Sequence, residues 1–193
     1  MIYLTRVKKD LPQRGKGIRL AIYQGEVDNA LATVECLYHD IHENAGLAWN
    51  QPLRWNVESA STYGWGCDRY MNSPAIWFVY MAMVGVTIDR PRQALTLRPH
   101  LNDLFNENNL PIFLPANQGR LLLDENSYRV SFTHPEPVRS ITIPAGKKQN
   151  ITITGIDTPH TIKASNYGSK AEWVIIFAET VEIGNDGILI EMS

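Results

Sequence analysis

The hydrophobic period of the chain changes near Gly85, and this change constrains the fold more than any other feature. Before it, apolar residues recur three and four apart, which is the spacing of one face of an α-helix. After it, apolar and polar residues alternate in short segments separated by Pro, Asn and Gly, as in β-strands. The sequence therefore predicts an α+β fold that is mainly helical over residues 26–85, with an antiparallel β-sandwich-like domain over residues 118–193.

One amphipathic helix is predicted over residues 26–44, where the apolar positions lie on a single helical face. Glu26 and Asp28 place negative charge in its first turn, and Gly46 offers a left-handed stop. The apolar positions of this face are Val27, Ala30, Leu31, Val34, Leu37, Tyr38 and Ile41.

A second helix is predicted over Ala75–Val84, a run that is apolar on every side. Asn72 or Ser73 can cap it, and Pro74 suits the first helical position because its missing N–H costs nothing there. Such a helix must be covered all round. The run is about half of the roughly 20 residues that cross a bilayer, so the sequence predicts no membrane span.

The strand-like segments follow one another at roughly ten-residue spacing, which is typical of a sandwich. No fixed internal repeat accompanies them, so a solenoid or propeller is not indicated. The segments are Leu121–Leu123, Tyr128–Phe132, Ile141–Ile143, Ile151–Ile153, Trp173–Phe177 and Ile188–Ile190.

Charge and cysteine content exclude several classes of function. Lys and Arg total 18 against 20 Asp and Glu, so the net charge of -2 offers no attraction for nucleic acid. The two cysteines, Cys36 and Cys67, form no disulfide framework and fit reduced thiols. No signal-peptide pattern is visible at the start of the chain, and we expect a cytoplasmic protein without cofactors.

The connector Leu47–Gly66 is unusually aromatic for a loop. It is interrupted by Pro52, Gly64 and Gly66, and it joins the one-faced helix to the all-apolar one. Recognition residues collect in loops on rigid scaffolds, so this segment is the first functional candidate. Its aromatic residues include Trp49, Trp55, Tyr63 and Trp65.

Four short motifs resemble the carboxyl-terminal part of family 116 glycoside hydrolases, the group of β-glucosidases and non-lysosomal glucosylceramidases. They are Asn56-Val-Glu58, Arg69-Tyr-Met71, Gly85-Val-Thr-Ile-Asp89-Arg-Pro91 and Pro99-His-Leu101. The resemblance covers roughly residues 25–123. The spacing from Glu58 to Arg69 is longer than in the family, so Ser59–Trp65 resembles an insertion.

The resemblance implies that residues 1–117 are the last helices of an (α/α)6-barrel glycosidase, also called a six-hairpin glycosidase. It implies carbohydrate as the ligand, with Glu58 and Arg69 binding glucose hydroxyls, while Trp49, Trp55 and Trp65 stack on the sugar. Alternatively, Glu58 and Arg69 pair with each other and the tryptophans fill core.

Glycosidic cleavage needs two carboxyl groups, and the resemblance implies that the family's pair lies upstream of this segment. The chain alone is then expected to be inactive, so its standing as an enzyme is open. The expected partners are carbohydrate and either the missing barrel portion on another chain or a second copy in a dimer. The alternative is a non-catalytic carbohydrate-binding or structural and interaction module.

Other candidate sites have simpler explanations. Cys36, His39 and His42 with Glu43 could hold a transition metal, but they lack four-ligand zinc spacing, so no metal site is predicted. Asp68 is expected to cap a helix rather than act as a general acid. The sandwich domain offers no catalytic cluster. His134 and His160 are expected in loops, and Lys147-Lys148 in a solvated turn.

Overall fold

The computed structural model describes residues 11–44, 46, 55–56, 61–62, 74–100, 108–145, 150–168 and 170–193. The chain divides into two units, Met1–Ala82 and Met83–Ser193. The described part of the first unit is helical apart from two very short strands, β1 (Trp55–Asn56) and β2 (Ser61–Thr62). In the described residues, every strand longer than two residues belongs to the second unit.

The predicted helix at residues 26–44 is confirmed, with an unexpected end. Helix α2 (Val27–Tyr38) continues directly into a π-helical turn, His39–Asn44. Gly46 has a φ of +66°, as expected for a left-handed stop. Glu26 precedes the helix and accepts a hydrogen bond of 2.8 Å from the Asn29 side chain. The acidic start thus contributes a local side-chain bond.

Helix α1 (Leu11–Gln24) was not predicted, because charged residues interrupt its apolar positions. Tertiary packing supports it where periodicity gives little signal: Ile18 and Ile22 are buried, as is Ala30 on α2. Gly25 has a φ of +89° and ends α1, and the Gly25 N–H donates to Ile22 O over 2.9 Å. The two helices therefore form a tight helical hairpin.

Helix α3 (Pro74–Val84) lies where the apolar run predicted it. The expectation that it is covered on every side is only half met. Val79, Ala82, Met83 and Val84 are buried, whereas Trp77 is 55% exposed and Phe78 is 42% exposed. One stretch of this all-apolar helix therefore faces solvent.

Two five-stranded sheets build the second unit. The first sheet has the order β10-β11-β8-β4-β3, and its pairs are antiparallel except for the parallel pair β4 and β8. A β-bulge lies in β11 between Ile176 and Val181. The strands are β3 (Val86–Asp89), β4 (Ala94–Leu97), β8 (Glu136–Pro144), β10 (His160–Tyr167) and β11 (Lys170–Ile183).

The second sheet has the order β5-β6-β7-β12-β9 and is antiparallel throughout. Its strands are β5 (Asn109–Leu114), β6 (Asn117–Asp124), β7 (Ser127–Phe132), β9 (Ile151–Thr154) and β12 (Ile188–Met192). This pair of largely antiparallel sheets confirms the sandwich-like part of the prediction. The barrel origin of the helices stays a prediction.

Alternation along the strands explains the core. On β8, Ile141 and Ile143 are fully buried, while Thr142 between them points to the opposite face. Each fully buried side chain of this size contributes about 1.5–3 kcal/mol. The same alternation buries Leu95 and Leu97 on β4, Ile175 and Phe177 on β11, Val130 and Phe132 on β7, and Ile188 and Ile190 on β12.

The strands begin earlier than the predicted boundary between residues 117 and 118. The first sheet starts at Val86, and that boundary would cut strand β6, which pairs with β5. The period change near Gly85 is the better marker. Gly85 has a φ of +66°, and a Cβ there would lie 1.8 Å from the Arg98 carbonyl oxygen. A glycine is therefore required where α3 turns into β3.

Candidate functional site

The predicted sugar-binding residues fall almost entirely outside the described part of the chain. Glu58, Arg69, Trp49 and Trp65 lie outside it. Trp55 begins the short strand β1 (Trp55–Asn56), which pairs antiparallel with β2 (Ser61–Thr62) in the register Trp55 to Thr62 and Asn56 to Ser61. Glu58 lies between these two strands in the sequence, outside the described residues.

Arg98, Glu172 and Tyr167 form a cluster on the first sheet, here called the outer cluster. Arg98 follows β4 and donates to both carboxylate oxygens of Glu172 on β11, through Nε and through Nη2 at 2.9 Å. Its Cζ lies 4.0 Å from the centroid of the Tyr167 ring on β10. Glu172 lies on the face of β11 that points away from the core. It is nevertheless buried, because the Arg98 guanidinium and the Tyr167 ring lie beside it.

A second cluster, here called the inter-sheet cluster, joins Arg90, Glu136 and Asn117. Arg90 donates to Glu136 through Nε at 2.8 Å and Nη2 at 3.1 Å. Asn117 Nδ2 donates to Glu136 Oε2 at 2.8 Å and to the His134 carbonyl at 3.0 Å. Glu136 belongs to the first sheet and Asn117 to the second, so the buried carboxylate ties the two sheets together.

The electrostatics of these clusters suit fixed ion pairs rather than proton transfer. Hydrogen bonding from Arg90 lowers the pKa of Glu136, with a further contribution from Asn117. The Arg92 side chain and N–H likewise lower the pKa of Asp89, which closes the β3–β4 turn. A general acid of glycoside hydrolysis needs a raised pKa. Neither carboxyl group has the environment for that role.

His100 lies just beyond the outer cluster and is half-buried. Burial lowers its pKa first, and the positive charges of Lys170 and Arg98 lower it further. The backbone N–H of His100 donates to the Met83 carbonyl over 2.8 Å, which joins the end of α3 to the segment after β4. The surroundings of the imidazole disfavour its charged form, and the bond at this junction comes from the backbone.

The candidate metal ligands on α2 and the π-helical turn do not converge. His39 Nδ1 lies 2.5 Å from Glu43 Oε2 and its Nε2 lies 4.0 Å from Glu35 Oε1, all with exposed side chains. Within the described residues, no group of three or more His, Cys, Asp or Glu side chains is arranged to hold a metal ion. The histidine pattern is instead part of a charged helical face.

Of the two remaining predictions about histidines, one is confirmed and one is wrong. His134 lies in the bend between β7 and β8, as expected, where its N–H and carbonyl bond to Asn117. His160 was expected in a loop, and this is wrong: it begins β10, and its ring packs edge-on against Phe177 at 6.2 Å. The Pro before His160 is typical of a loop, but pairing with β11 places His160 in a strand. Asp68 and Lys147-Lys148 lie outside the described residues.

Sequence reasoning missed both clusters, since their members are far apart in the chain. Arg98 and Glu172 are 74 residues apart, and Arg90 and Glu136 are 46 residues apart. No local spacing signals such pairs. The available signal was a single charged residue at an otherwise apolar strand position, such as Glu172 before Trp173-Val-Ile-Ile-Phe177.

No helix in the described residues is long and apolar enough to cross a membrane. No protein-family model matches the chain, and no curated protein matches its sequence.

Proposed function

We propose that this chain is the carboxyl-terminal segment of a glycoside hydrolase acting on β-glucosides or related carbohydrates. In this proposal the segment contributes sugar-binding residues, Glu58 and Arg69 with Trp49, Trp55 and Trp65, and lacks the catalytic carboxylates. The missing barrel portion is a partner chain or the remainder of a longer protein. The cytoplasm is the proposed location.

The observation that carries the proposal is the exposed stretch of α3. Trp77 and Phe78 are large aromatic residues in an all-apolar helix, and both are exposed. Complete burial of such a side chain is worth about 1.5–3 kcal/mol, and these half-exposed rings realise only part of it. A helix from the inner ring of a barrel would have these positions covered by neighbouring helices. The exposed aromatics are therefore what a barrel segment without its neighbours would present.

The resemblance block Gly85–Leu101 also has a structural explanation. Gly85 is required by its close approach to Arg98, and Asp89 closes the β3–β4 turn with bonds to Arg92 of 3.2 and 2.7 Å. These residues shape the junction between helix and sheet. The proposed sugar chemistry rests on Glu58, Arg69 and the three tryptophans of the loop.

A second candidate is a non-catalytic carbohydrate-binding or interaction module. The observation that favours it is the complete core of the second unit, in which Leu95, Ile141, Ile175 and Ile190 are fully buried. A domain with its own core needs no barrel to cover it. In this alternative the sandwich binds the partner, and the loop residues Glu58 and Arg69 have no role.

A titration with glucose and cellobiose followed by NMR separates the two candidates. The first predicts weak binding, with dissociation constants on the order of millimolar, because each hydroxyl bond gains only about 0.5–1.5 kcal/mol. Glu58→Gln and Arg69→Ala should each abolish the shifts, while the matched control Glu125→Gln at an exposed turn should preserve them. Shifts confined to residues beyond Gly119, or indifferent to both loop substitutions, would favour the module.

A further inference from the structure

We propose that Arg98, Lys170 and His100 form a binding site for a phosphate group at one end of the first sheet. The site extends the outer cluster, in which Arg98 bonds to Glu172 and lies on the ring of Tyr167. It belongs to the β unit alone. It does not rest on the proposed sugar-binding residues, which lie in a different part of the sequence.

The register of the sheet brings these basic residues to one end of it. Strand β4 runs parallel to β8, and β11 runs antiparallel to β8 with Glu172 opposite Pro144. Arg98, which follows β4, therefore reaches Glu172 across β8. His100 lies two residues after Arg98, and Lys170 lies two residues before Glu172, so both are further toward the same end. Residues two apart in an extended chain share a face, which places all of them on the outer face.

Arg98 is a donor that is fixed before any ligand binds. Its Nε and Nη2 donate to the two carboxylate oxygens of Glu172, and its Cζ lies 4.0 Å from the centroid of the Tyr167 ring. Its Nη1 makes no hydrogen bond within the described part of the chain. A side chain that is already ordered loses little entropy when a ligand accepts its remaining hydrogen bonds.

Lys170 and His100 supply two further donors. Lys170 lies directly opposite Tyr167 in the pairing of β10 with β11, and it pairs with no carboxylate among the described residues. Burial lowers the pKa of His100, and the positive charges of Lys170 and Arg98 lower it further. The three basic groups therefore lie within electrostatic reach of one another. Glu172, the carboxylate beside them, is already bonded to Arg98.

Charge favours an anion at this site, and the number of donors favours phosphate. Two cations and one carboxylate leave one net positive charge while His100 is neutral, and two when it is protonated. A phosphate monoester carries about two negative charges and three acceptor oxygens. These match Nη1 of Arg98, Nζ of Lys170 and a ring N–H of His100, whereas a carboxylate offers only two oxygens. Tyr167, 48% exposed, offers a flat ring to an organic group attached to the phosphate.

The test is an NMR titration of the His100 imidazole in the full chain, with inorganic phosphate as the probe. Bound phosphate should raise the pKa of His100, because a neighbouring negative charge favours the protonated ring, and acetate at equal ionic strength should have little effect. Without phosphate, Lys170→Gln should also raise this pKa, since it removes a positive charge. The same variant should raise the phosphate dissociation constant at least about fivefold. Lys163→Gln, at an exposed lysine on the same face of β10, is the matched control and should change neither.

A His100 resonance that does not respond to phosphate would overturn the proposal. So would an equal response to acetate, or a phosphate affinity that Lys170→Gln leaves unchanged. Glucose 6-phosphate separates two sources of the same group: binding tighter than that of inorganic phosphate identifies a sugar phosphate as the ligand, and equal or weaker binding identifies the free ion. Glu58→Gln and Arg69→Ala should leave the phosphate response intact, so this inference and the proposed function can fail separately.

Discussion

The two units differ in how completely their apolar side chains are buried and their buried charges are paired. In the β unit, fully buried side chains such as Leu95 and Ile141 fill the space between the sheets, and the buried carboxylates of Glu136 and Glu172 are both paired. In the helical unit, few described side chains are fully buried, Ile22 and Ala82 among them. Exposed large apolar residues occur in both units: Leu20, Tyr38, Trp77 and Phe78 in the helical unit, and Phe113, Leu122, Ile162 and Tyr167 in the β unit.

Hydrophobic content alone therefore does not indicate a completely buried core. Helix α3 is the most apolar element of the chain, yet it exposes two aromatic rings. The strands are less apolar, but alternation gives each of them one face that is fully covered. Among the described residues, most of the buried apolar side chains therefore belong to the β unit.

The largest expected effect comes from opening the β core. Replacing Phe177, which is 1% exposed, by Ala should lower the free energy of unfolding by about 3–5 kcal/mol, because apolar burial is lost and a cavity is left behind. Ile22→Ala in the helical unit should destabilise only the helices. Thermal unfolding by circular dichroism should show the first change in the strand signal and the second in the helical signal. A single transition shifted equally by both would erase the distinction between the units.

The inter-sheet cluster should make the β unit sensitive to acid. Because the folded state lowers the pKa of Glu136 below its usual 4.5, its stabilisation is complete above that value and is lost as the pH falls through the lower, folded pKa. Glu136→Gln should cost about 1–3 kcal/mol at pH 7, since it leaves Arg90 with a weaker acceptor. The variant should also show a shallower loss of stability between about pH 5 and 3.

Urea unfolding across this pH range measures the effect. Glu182→Gln, at an exposed position of β11, is the control and should follow the wild type throughout. If the two glutamine variants have the same pH dependence, the Arg90 pair does not stabilise the connection between the sheets.

The outer cluster should give a smaller effect. Tyr167→Leu keeps an apolar side chain but removes the ring that lies on Arg98, and should cost about 0.5–1 kcal/mol. Phe113→Leu provides a comparison at another partly exposed aromatic outside this cluster. Chemical denaturation at low salt can resolve the difference. A loss as large as that of Phe177→Ala would mean that Tyr167 belongs to the core.

An effect on stability of similar size is expected from the exposed aromatics of α3. Replacing Trp77 and Phe78 together by Ser should cost about 1 kcal/mol, because each ring is about half exposed and its contacts, Phe78 with Arg19 at 5.4 Å and Trp77 with Tyr80 at 6.4 Å, lie near the surface. The same change should reduce aggregation clearly, as measured by light scattering. A large loss of stability would show that these rings are packed in solution and would remove the main support for a missing partner.

Periodicity predicted much of this fold. The helix that contains Val27 and the strands around Ile141 and Ile190 follow from local spacing because one buried face imposes it, whereas α3 follows from its unbroken apolar run. Helix α1 escaped prediction because its buried residues, Ile18 and Ile22, are separated by charge. The period change near Gly85 indicated the early start of the β unit, but the predicted boundary between residues 117 and 118 assigned β3, β4 and β5 to the helical part.

The candidate site was much less predictable. Arg98 and Glu172 meet only because β4 and β11 belong to one sheet, and nothing local to either residue indicates this. The functional hypothesis rests on short motifs around Glu58 and Arg69, which lie outside the described residues. Sequence patterns identify faces that need covering far better than they identify which polar groups converge.

Native-state hydrogen exchange tests most directly whether the β unit is complete and the helical unit is not. We expect the amides of β8 and β11, which are paired with a strand on both sides, to exchange only through global unfolding of the β unit. Amides of α1, α2 and α3 up to Ala82 should exchange through openings of lower free energy. Equal protection of Ile22 and Ile141 would contradict the account, because it would show that the helices are as complete as the sandwich.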